Sequence, residues 1–285
     1  MTSATGRATG SETAELEVDP VALAALADLL GADDVDLSPG AAVPALWHWV
    51  ALARWPTPAS LGPDGHPRRG TGVVPDVALP RRMFGGGRLT LHRPLPVGAT
   101  VRVTTTAGPP RPRTGRTGEL VLVDLEVAVH DQHGTLLLEE TRHLVFTGAT
   151  QVDGQPPTPV ALPAEPALLS TDQDQVRWLR TDPGLLARFS ALTANPHRIH
   201  LDWPYTTTVE GYPGLVVHGP LQALVLAEVG RRAGDRPRRT LDHRGSAPLF
   251  CGEPARVEHD PASRVLQLLG DDGRPRARLR LDPDA

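Results

Sequence analysis

The stretch that decides the fold is LHRPLPVGATVRV at Leu91–Val103, because its layout returns once more along the chain. The sequence GSAPLFCGEPARV at Gly245–Val257 repeats it, with Pro, Leu, Gly, Arg and Val recurring at a constant offset of 154 residues. Each copy predicts an extended entry, a Pro/Gly turn and a strand. The chain is therefore expected to contain two copies of one structural unit.

Two pairs of helix signals accompany the repeated stretch. DPVALAALADLLG begins at Asp19 and DPGLLARFSALT begins at Asp182, each with a capping aspartate followed by proline. Further on come PALWHWVALAR at Pro44–Arg54 and PLQALVLAEVGRR at Pro220–Arg232, which we expect to be central, largely apolar helices. Three blocks thus recur in the same order.

Long runs of alternating apolar and polar residues follow in each half. They read GELVLVDLEVAVHD and GTLLLEETRHLVF in the first half and RVLQLLGDDGRPRARLRL in the second. Such runs predict antiparallel hairpin strands. A sheet wrapped around one helix, present twice, predicts an α+β fold of the tandem (double) hotdog type.

The expected boundaries follow the composition. Residues 1–150 form the first half, the Pro-rich residues 151–166 a stiff linker, and residues 167–285 the second half. The first half also carries a Gly-, Pro- and Arg-rich insertion, about Trp55–Gly87, without a counterpart in the second half. Long irregular loops of this kind are often functional.

Composition excludes several function classes. The chain has 285 residues, 40% of them hydrophobic, and a formal net charge of −4 without a basic block, so nucleic acid is not an expected partner. The lone Cys251 excludes an intramolecular disulfide and a cysteine-based zinc cluster. Neither an apolar signal segment nor an apolar run of membrane-spanning length occurs, so we expect a cytoplasmic protein without membrane contact.

The stretch FSALTANPHRIHLD, residues 189–202, is the richest in reactive side chains. It contains the only Asn and the only Ile of the chain, four positions apart. Its polar members are Asn195, His197, Arg198, His200 and Asp202, and His218 and Gly219 come directly before the helix at Pro220. The corresponding place in the first half reads only GADDVDLSPG. The second half is therefore expected to be catalytic and the first supportive.

Each of these residues also has a purely structural interpretation. A single histidine such as His200 is more often a paired structural residue than a catalytic one. His197, His200 and His218 could form a metal site, but their spacing lacks the i, i+4 pair of helical zinc ligands, so we expect no metal. Asp202 is expected to cap a helix or pair with Arg198 rather than react.

The combined motif resembles the active-site segment of the MaoC-like, hotdog-fold acyl-thioester hydratases and dehydratases, Gly-Asp-x-Asn-Pro-x-His-x-Asp. His200 and Asp202 match, whereas Asn195 stands where most members have a catalytic Asp. The runs NPHRIH and YPGLVVHGPLQ, with PALWHW, LGPDGHPRRG, LPRRMFGGG and HRPLPVG, resemble the branch of mesaconyl-CoA and itaconyl-CoA hydratases and mitochondrial-type 3-hydroxyacyl-thioester dehydratases.

This resemblance implies a hydro-lyase that reversibly adds water across the 2,3-double bond of an enoyl thioester, with a small, mesaconyl- or itaconyl-like acyl group. His200 would move the proton, the amide of Asn195 would orient water, and the backbone N–H of Gly219 would polarise the thioester carbonyl. The supporting residues would be His218, His197 and Arg198. Arg81 and Arg82 would bind coenzyme A phosphates or an acyl carboxylate, although charged pairs in loops are usually solvated surface.

Two other functions stay open from the residues alone. A hotdog thioesterase would use an acidic group on the central helix, but Gln222 and Glu228 make no obvious pair with Gly219. A non-catalytic acyl-thioester-binding protein would explain the missing Asp at position 195. The sequence does not distinguish coenzyme A from acyl carrier protein; it predicts no separate cofactor, and two halves in one chain form a minimal unit that can still homodimerise.

Overall fold

The computed structural model describes residues 10–68, 70–115, 118–149, 168–171, 177–235 and 239–282. The first half contains β1 (Ser11–Glu17), α1 (Pro20–Leu30), α2 (His48–Ala51), β2 (Arg81–Leu91), β3 (Thr100–Ala107), β4 (Arg111–Gly115), β5 (Gly118–Asp131) and β6 (Leu136–Thr147). The second half contains β7 (Leu169–Thr171), β8 (Arg177–Leu179), α3 (Pro183–Leu192), α4 (Trp203–Thr208), α5 (Gly219–Arg232), β9 (Thr240–Gly245), β10 (Ala255–Asp260), β11 (Val265–Gly270) and β12 (Pro275–Leu281).

The described strands form one antiparallel sheet that runs through both halves. Its order is β1-β3-β5-β6-β2-β9-β12-β11-β10-β8-β7, with β4 paired to β5. The halves meet where β2 pairs with β9, from Gly86 opposite Arg244 to Thr90 opposite Thr240. Outward from this seam, β6, β5, β3 and β1 of one half match β12, β11, β10 and β8 of the other.

The internal repeat predicted from the sequence is confirmed. Gly98 and Gly252, which occupy equivalent positions in the two copies, have φ values of 76° and 89°. Glycine adopts this left-handed region without the strain that a Cβ atom causes. Each turn leads into an inner strand of its half, β3 or β10.

The predicted caps are also present. Asp19 accepts hydrogen bonds from the backbone N–H groups of Val21 and Ala22, and Gly31 ends α1 with φ 62°. Asp182 caps α3 by accepting from the Leu185 N–H. Local capping chemistry therefore fixes both helix starts.

Helix α5 lies where the sequence predicts it, but the first-half counterpart is much shorter than expected. Residues 221–226 of α5 are buried on all sides, as a helix enclosed by a sheet requires. Of the predicted helix at Pro44–Arg54, only His48–Ala51 is helical. The reason is that Leu46 has φ 70°, outside the α-helical region, which delays the helix start past Pro44.

The prediction that residues 81–87 belong to an irregular insertion is wrong. They form β2, whose counterpart in the second half is β9. Gly86 and Gly87 are required by close backbone contacts: a Cβ atom would lie 2.3 Å from the His243 carbonyl oxygen at Gly86 and 2.2 Å from that of Thr141 at Gly87. Glycines that suggest a loop here permit strand packing instead.

Strands β1, β4, β7 and β8 were not anticipated from the sequence. The predicted linker, residues 151–166, lies outside the described residues. Among the described helices, none has the length and apolar character needed to cross a membrane.

Candidate active site

The candidate segment, residues 194–200, is held by a succession of tight turns. After α3, Ala194 has φ 49°, and the Asn195 N–H donates to the Ser190 carbonyl at 2.9 Å. The side-chain oxygen of Asn195 accepts from the His197 N–H at 3.1 Å. A 3₁₀ turn, Arg198–His200, follows directly. Asn195 therefore shapes the loop that carries both histidines.

His200 is fixed in a defined tautomer. Its Nδ1 lies 2.6 Å from the Val216 carbonyl oxygen, which can only accept a hydrogen bond, so Nδ1 carries the proton and Nε2 has a free lone pair. The residue is 7% exposed. Burial lowers the pKa of His200 to about 4, against which the hydrogen bond to Val216 acts. His200 is thus a neutral base at pH 7.

His218 lies against His200. The two rings stack with centroids 3.6 Å apart and planes 20° apart. A hydrogen bond of 2.8 Å joins His218 Nε2 to Ser190 Oγ, while Nδ1 has no partner within the described part of the chain. Burial, followed by the charge of His200, lowers the pKa of His218 well below its usual value. The stack therefore resists protonation.

Gly219 begins α5 directly after His218. The first N–H groups of a helix have no partner within it and carry the positive end of the helix dipole. Gly219 is partly exposed, so its N–H can reach a bound oxygen. A Cβ atom here would lie 3.0 Å from Cδ1 of Phe84 on β2. Glycine is therefore needed for contact with Phe84.

The first half contributes directly to the site through the loop around Asp64–His66. The His66 and His197 rings lie 3.8 Å apart, and the His197 and His200 rings 5.5 Å apart. Asp64 Oδ2 lies 3.3 Å from His66 Nδ1. A row of imidazoles thus joins the first-half loop to His200.

Charge and burial set the protonation of this loop. Burial and the charge of Arg82 lower the pKa of His66 to about 4, although Asp64 acts in the opposite direction. Burial acts to raise the pKa of Asp64, but its contacts with His66 and the charge of Arg82 hold it below the usual value. Burial also lowers the pKa of His197 strongly. The rings of His66, His197 and His200 are therefore all neutral at pH 7.

Arg198 and Asp202 have the structural pairing expected of them. Arg198 Nη2 lies 2.7 Å from Asp202 Oδ2, and Asp202 Oδ1 accepts from the Tyr205 N–H to cap α4. Arg198 also lies over the Tyr205 ring, 4.1 Å from its centroid, and donates to the Pro63 carbonyl at 2.8 Å. Arg198 therefore supports the site by clamping the first-half loop.

Arg81 and Arg82, adjacent on β2, have different surroundings. Arg81 Nε donates to Glu210 at 2.8 Å, and its guanidinium lies 4.6 Å from the centroid of Tyr212. Arg82 has no carboxylate within 4.0 Å among the residues described, although the charge of Asp64 acts on it. Burial lowers the pKa of Arg82 to about 10, so it remains a cation. Arg82 is the better candidate for an anionic ligand.

Asp64, His66 and His197 bring three possible metal ligand atoms within 4.8 Å of one another. The positive charge of Arg82 acts on all three residues. A cation here would be repelled, and Asp64 already interacts with His66. These contacts favour proton chemistry over metal binding.

Helix α5 lacks the free acid that a thioesterase would need. Glu228 is 1% exposed and forms ion pairs of 2.7 Å with Arg231 and Arg232. Gln222 donates to the Val217 carbonyl at 3.3 Å and is buried. Both side chains are therefore occupied inside the fold.

Sequence reasoning missed Asp64, His66, Phe84 and Ser190 as site residues. The spacing Asp64-x-His66 within LGPDGHPRRG was the only local signal for the first pair. Ser190 lies within the stretch 189–202, but its contact with His218 has no local signal. Phe84 reaches the site by packing from a distant segment.

Comparison with solved structures establishes the fold class. HtdX from Mycobacterium tuberculosis superposes with a TM-score of 0.64 and 22% sequence identity, covering 95% of this chain and 99% of that one. Another M. tuberculosis protein, described as having a double hotdog fold, gives a TM-score of 0.52 at 15% identity over 95% of each chain. The protein is a double hotdog, as predicted.

Sequence comparison gives the family. The model of hydroxyacyl-thioester dehydratase type 2, Htd2, matches residues 46–251. The mesaconyl-C(4)-CoA hydratase of Chloroflexus aurantiacus is 40% identical over 233 residues, which is 81% of this chain and 80% of that protein. The chain belongs to the Htd2 family, and it is a hydro-lyase with acyl-CoA hydratase function.

Proposed function

We propose that the protein hydrates a small dicarboxylic enoyl-CoA, of which mesaconyl-CoA is the first candidate, and catalyses the reverse dehydration. The observation that carries the chemistry is the neutral His200, whose Nδ1–H is held by Val216 while Nε2 stays free. A base in this state can take a proton from water as the water oxygen attacks C3.

The other roles follow from the donors around His200. The N–H of Gly219 at the start of α5 would bind the thioester oxygen, where negative charge develops when C3 is attacked. The amide of Asn195 would orient the water through its NH₂ group, because its oxygen already accepts from His197. His218 and His197 would keep the base in place by packing against its ring.

The dicarboxylic substrate is proposed on two grounds. The relative from C. aurantiacus is named for mesaconyl-C(4)-CoA. Arg82, a partly buried cation with no carboxylate at ion-pairing distance in the described structure, offers a planar donor pair suited to a free carboxylate. Itaconyl-CoA shares this chemistry and is the second candidate.

The surroundings of the reaction are part of the same proposal. Coenzyme A is proposed as the carrier, and acyl carrier protein is the alternative. All proton transfers can be made by side chains, so we propose that the enzyme needs no separate cofactor and works in the cytoplasm. We propose that the protein forms a homodimer, and a monomer is the alternative to be tested.

The test follows absorbance of the conjugated enoyl thioester while purified protein meets mesaconyl-, itaconyl- and crotonyl-CoA, with free thiol measured in parallel. The expected result is loss of the conjugated band without thiol release, fastest with mesaconyl-CoA and abolished in His200→Ala. Release of free thiol would instead show that the protein hydrolyses the thioester. If neither the conjugated band nor free thiol changed while the thioester still bound, the protein would be a non-catalytic acyl-thioester-binding protein.

A further inference from the structure

Hydration requires a second proton transfer, to C2, and two donors can supply it: His200 after it has taken the proton from water, or a separate acid. After His200 takes a proton from water, C2 must receive one. The amide of Asn195 cannot supply it, since an amide does not ionise in this range. His218 is completely buried, and its Nε2 is hydrogen-bonded to Ser190.

The first-half loop places another imidazole beside the site. The His66 side chain is 15% exposed, so it is accessible, and its Nδ1 faces Asp64 at 3.3 Å. This pairing leaves Nε2 as the ring nitrogen available to a substrate. An imidazole with a carboxylate at Nδ1 is stabilised in its protonated form.

The loop is anchored on the catalytic segment. The Arg198 N–H donates to the Asp64 carbonyl at 2.9 Å, and the Arg198 guanidinium donates to Pro63 at 2.8 Å. At Gly65, φ is 88°, and a Cβ atom would lie 2.0 Å from the Pro196 carbonyl oxygen. Only glycine allows this approach, which seats His66 against His197.

The buried charges around His66 are balanced only while the acyl carboxylate is absent. Asp64 carries −1 and Arg82 carries +1, while the facing His197 ring is neutral. Arg68 lines the same small cavity and adds a positive charge, but its side chain is exposed and solvent screens that charge. The other nearby groups are neutral: His200, and the Tyr205 hydroxyl, whose pKa is raised by burial and by Glu210. A substrate carboxylate at Arg82 would leave one uncompensated negative charge, and a proton on His66 would restore the balance.

We propose that His66, held by Asp64, is the acid that protonates C2, and that it takes up its proton when the free carboxylate of the acyl group binds at Arg82. This inference rests on the proposed function. Water loses a proton to His200 Nε2 as its oxygen bonds to C3, and the π electrons move to C2 and the thioester carbonyl. The enolate then forms a C2–H bond with the proton of His66 Nε2, whose N–H electron pair stays on nitrogen. His200 returns its proton to solvent when product leaves.

The primary experiment needs no mutation. Binding of succinyl-CoA and butyryl-CoA, saturated ligands that cannot be hydrated, is measured calorimetrically at pH 7 in buffers of different ionisation enthalpy. The expected result is uptake of nearly one proton with succinyl-CoA and none with butyryl-CoA. Equal uptake with both ligands would overturn the inference.

Two variants then test whether His66 is the residue that takes up the proton. His66→Gln should abolish the uptake while succinyl-CoA still binds, and should lower kcat for mesaconyl-CoA by about a hundredfold with less than a tenfold change in KM. His92→Gln is the matched control, since His92 also faces a carboxylate, Glu139 at 2.9 Å, but lies outside the site. Uptake or kcat unchanged in His66→Gln would overturn the inference while hydration by the parent protein stands. If the parent protein hydrated no enoyl-CoA, the proposed function itself would be contradicted.

Discussion

Each half of the molecule has a buried polar cluster that includes histidine, and the two clusters differ in how their polar atoms are paired. In the first half the carboxylate of Glu140 accepts from His48 Nε2 at 3.0 Å, Trp49 Nε1 at 2.7 Å and Arg142 Nε at 2.8 Å. In the second half, His200 and His218 contact a backbone carbonyl, a serine hydroxyl and each other.

The difference separates a fully paired cluster from one whose His200 keeps a free lone pair. Burial acts to raise the pKa of Glu140, but the charges of Arg142 and His48 more than offset it and hold that pKa far below its usual value. Such an anion is locked by its partners. Without a carboxylate at contact distance within the described structure, the second cluster stays neutral and keeps a lone pair on His200. Incomplete pairing is therefore what makes a buried histidine available for chemistry.

The largest effect is expected for His200→Ala, which tests whether the unpaired cluster is the one that reacts. Removing the proposed base should lower kcat for enoyl-CoA hydration by about a thousandfold, which is about 4 kcal/mol of barrier. The rate is measured from loss of the conjugated thioester band, and thermal melting checks the fold. His92→Ala, outside the site, should retain full activity. If His200→Ala kept more than a tenth of the parent kcat, His200 would not be the base.

The next largest effect is expected in the fully paired cluster. Glu140→Gln leaves the Arg142 charge without its buried anion and should reduce the free energy of unfolding by about 3 kcal/mol. The matched control is the neighbouring Glu139→Gln, since the Glu139 side chain is 55% exposed and should cost less than about 1 kcal/mol. Urea unfolding measures both. Equal losses in the two variants would show that burial of the Glu140 network is not what stabilises the first half.

These contrasts also explain what the sequence could predict. The caps at Asp19 and Asp182 and the long strands β5 and β6 depend on residues a few positions apart, so the local pattern was sufficient. The short α2 depends on the backbone conformation of Leu46, and the strand at residues 81–87 depends on pairing with β6 and β9. Periodicity carries no information about such contacts.

The site divides in the same way. His200, His218 and Gly219 were found because they cluster near each other in the sequence or match a motif. His66 reaches His197 only because two loops, more than a hundred positions apart, meet at Gly65 and Pro196. The supportive role expected for the first half therefore understated its contribution to the site.

A smaller effect is expected where the halves touch at Gly219. In Gly219→Ala the new Cβ atom would lie 3.0 Å from Phe84 Cδ1, so the helix start or the ring must shift by a few tenths of an ångström. Displacement of the N–H proposed to bind the thioester oxygen should lower kcat about tenfold. The double variant Gly219→Ala/Phe84→Ala removes the contact and should recover most of the loss. A double variant as slow as the single one would show that the Phe84 contact is not the cause.

The smallest effect tests whether the neutral state of the second cluster matters. Asn195→Asp keeps the oxygen that accepts from the His197 N–H but adds a negative charge near rings that contain no anion of their own. A nearby anion favours protonated imidazole, so the pKa of His200 should rise from about 4 toward its usual value.

The base form of His200 is lost as pH falls through its pKa, so the acid limb of kcat/KM should move to higher pH in Asn195→Asp. Above that limb, at pH 8, the rate should change by less than about fivefold, because His200 is neutral in both proteins. Asn195→Ala separates the charge from the lost amide, since it should leave the acid limb in place while lowering the rate. An acid limb unmoved in Asn195→Asp would mean that residue 195 does not set the charge of the cluster, and pairing alone would then not distinguish the two halves.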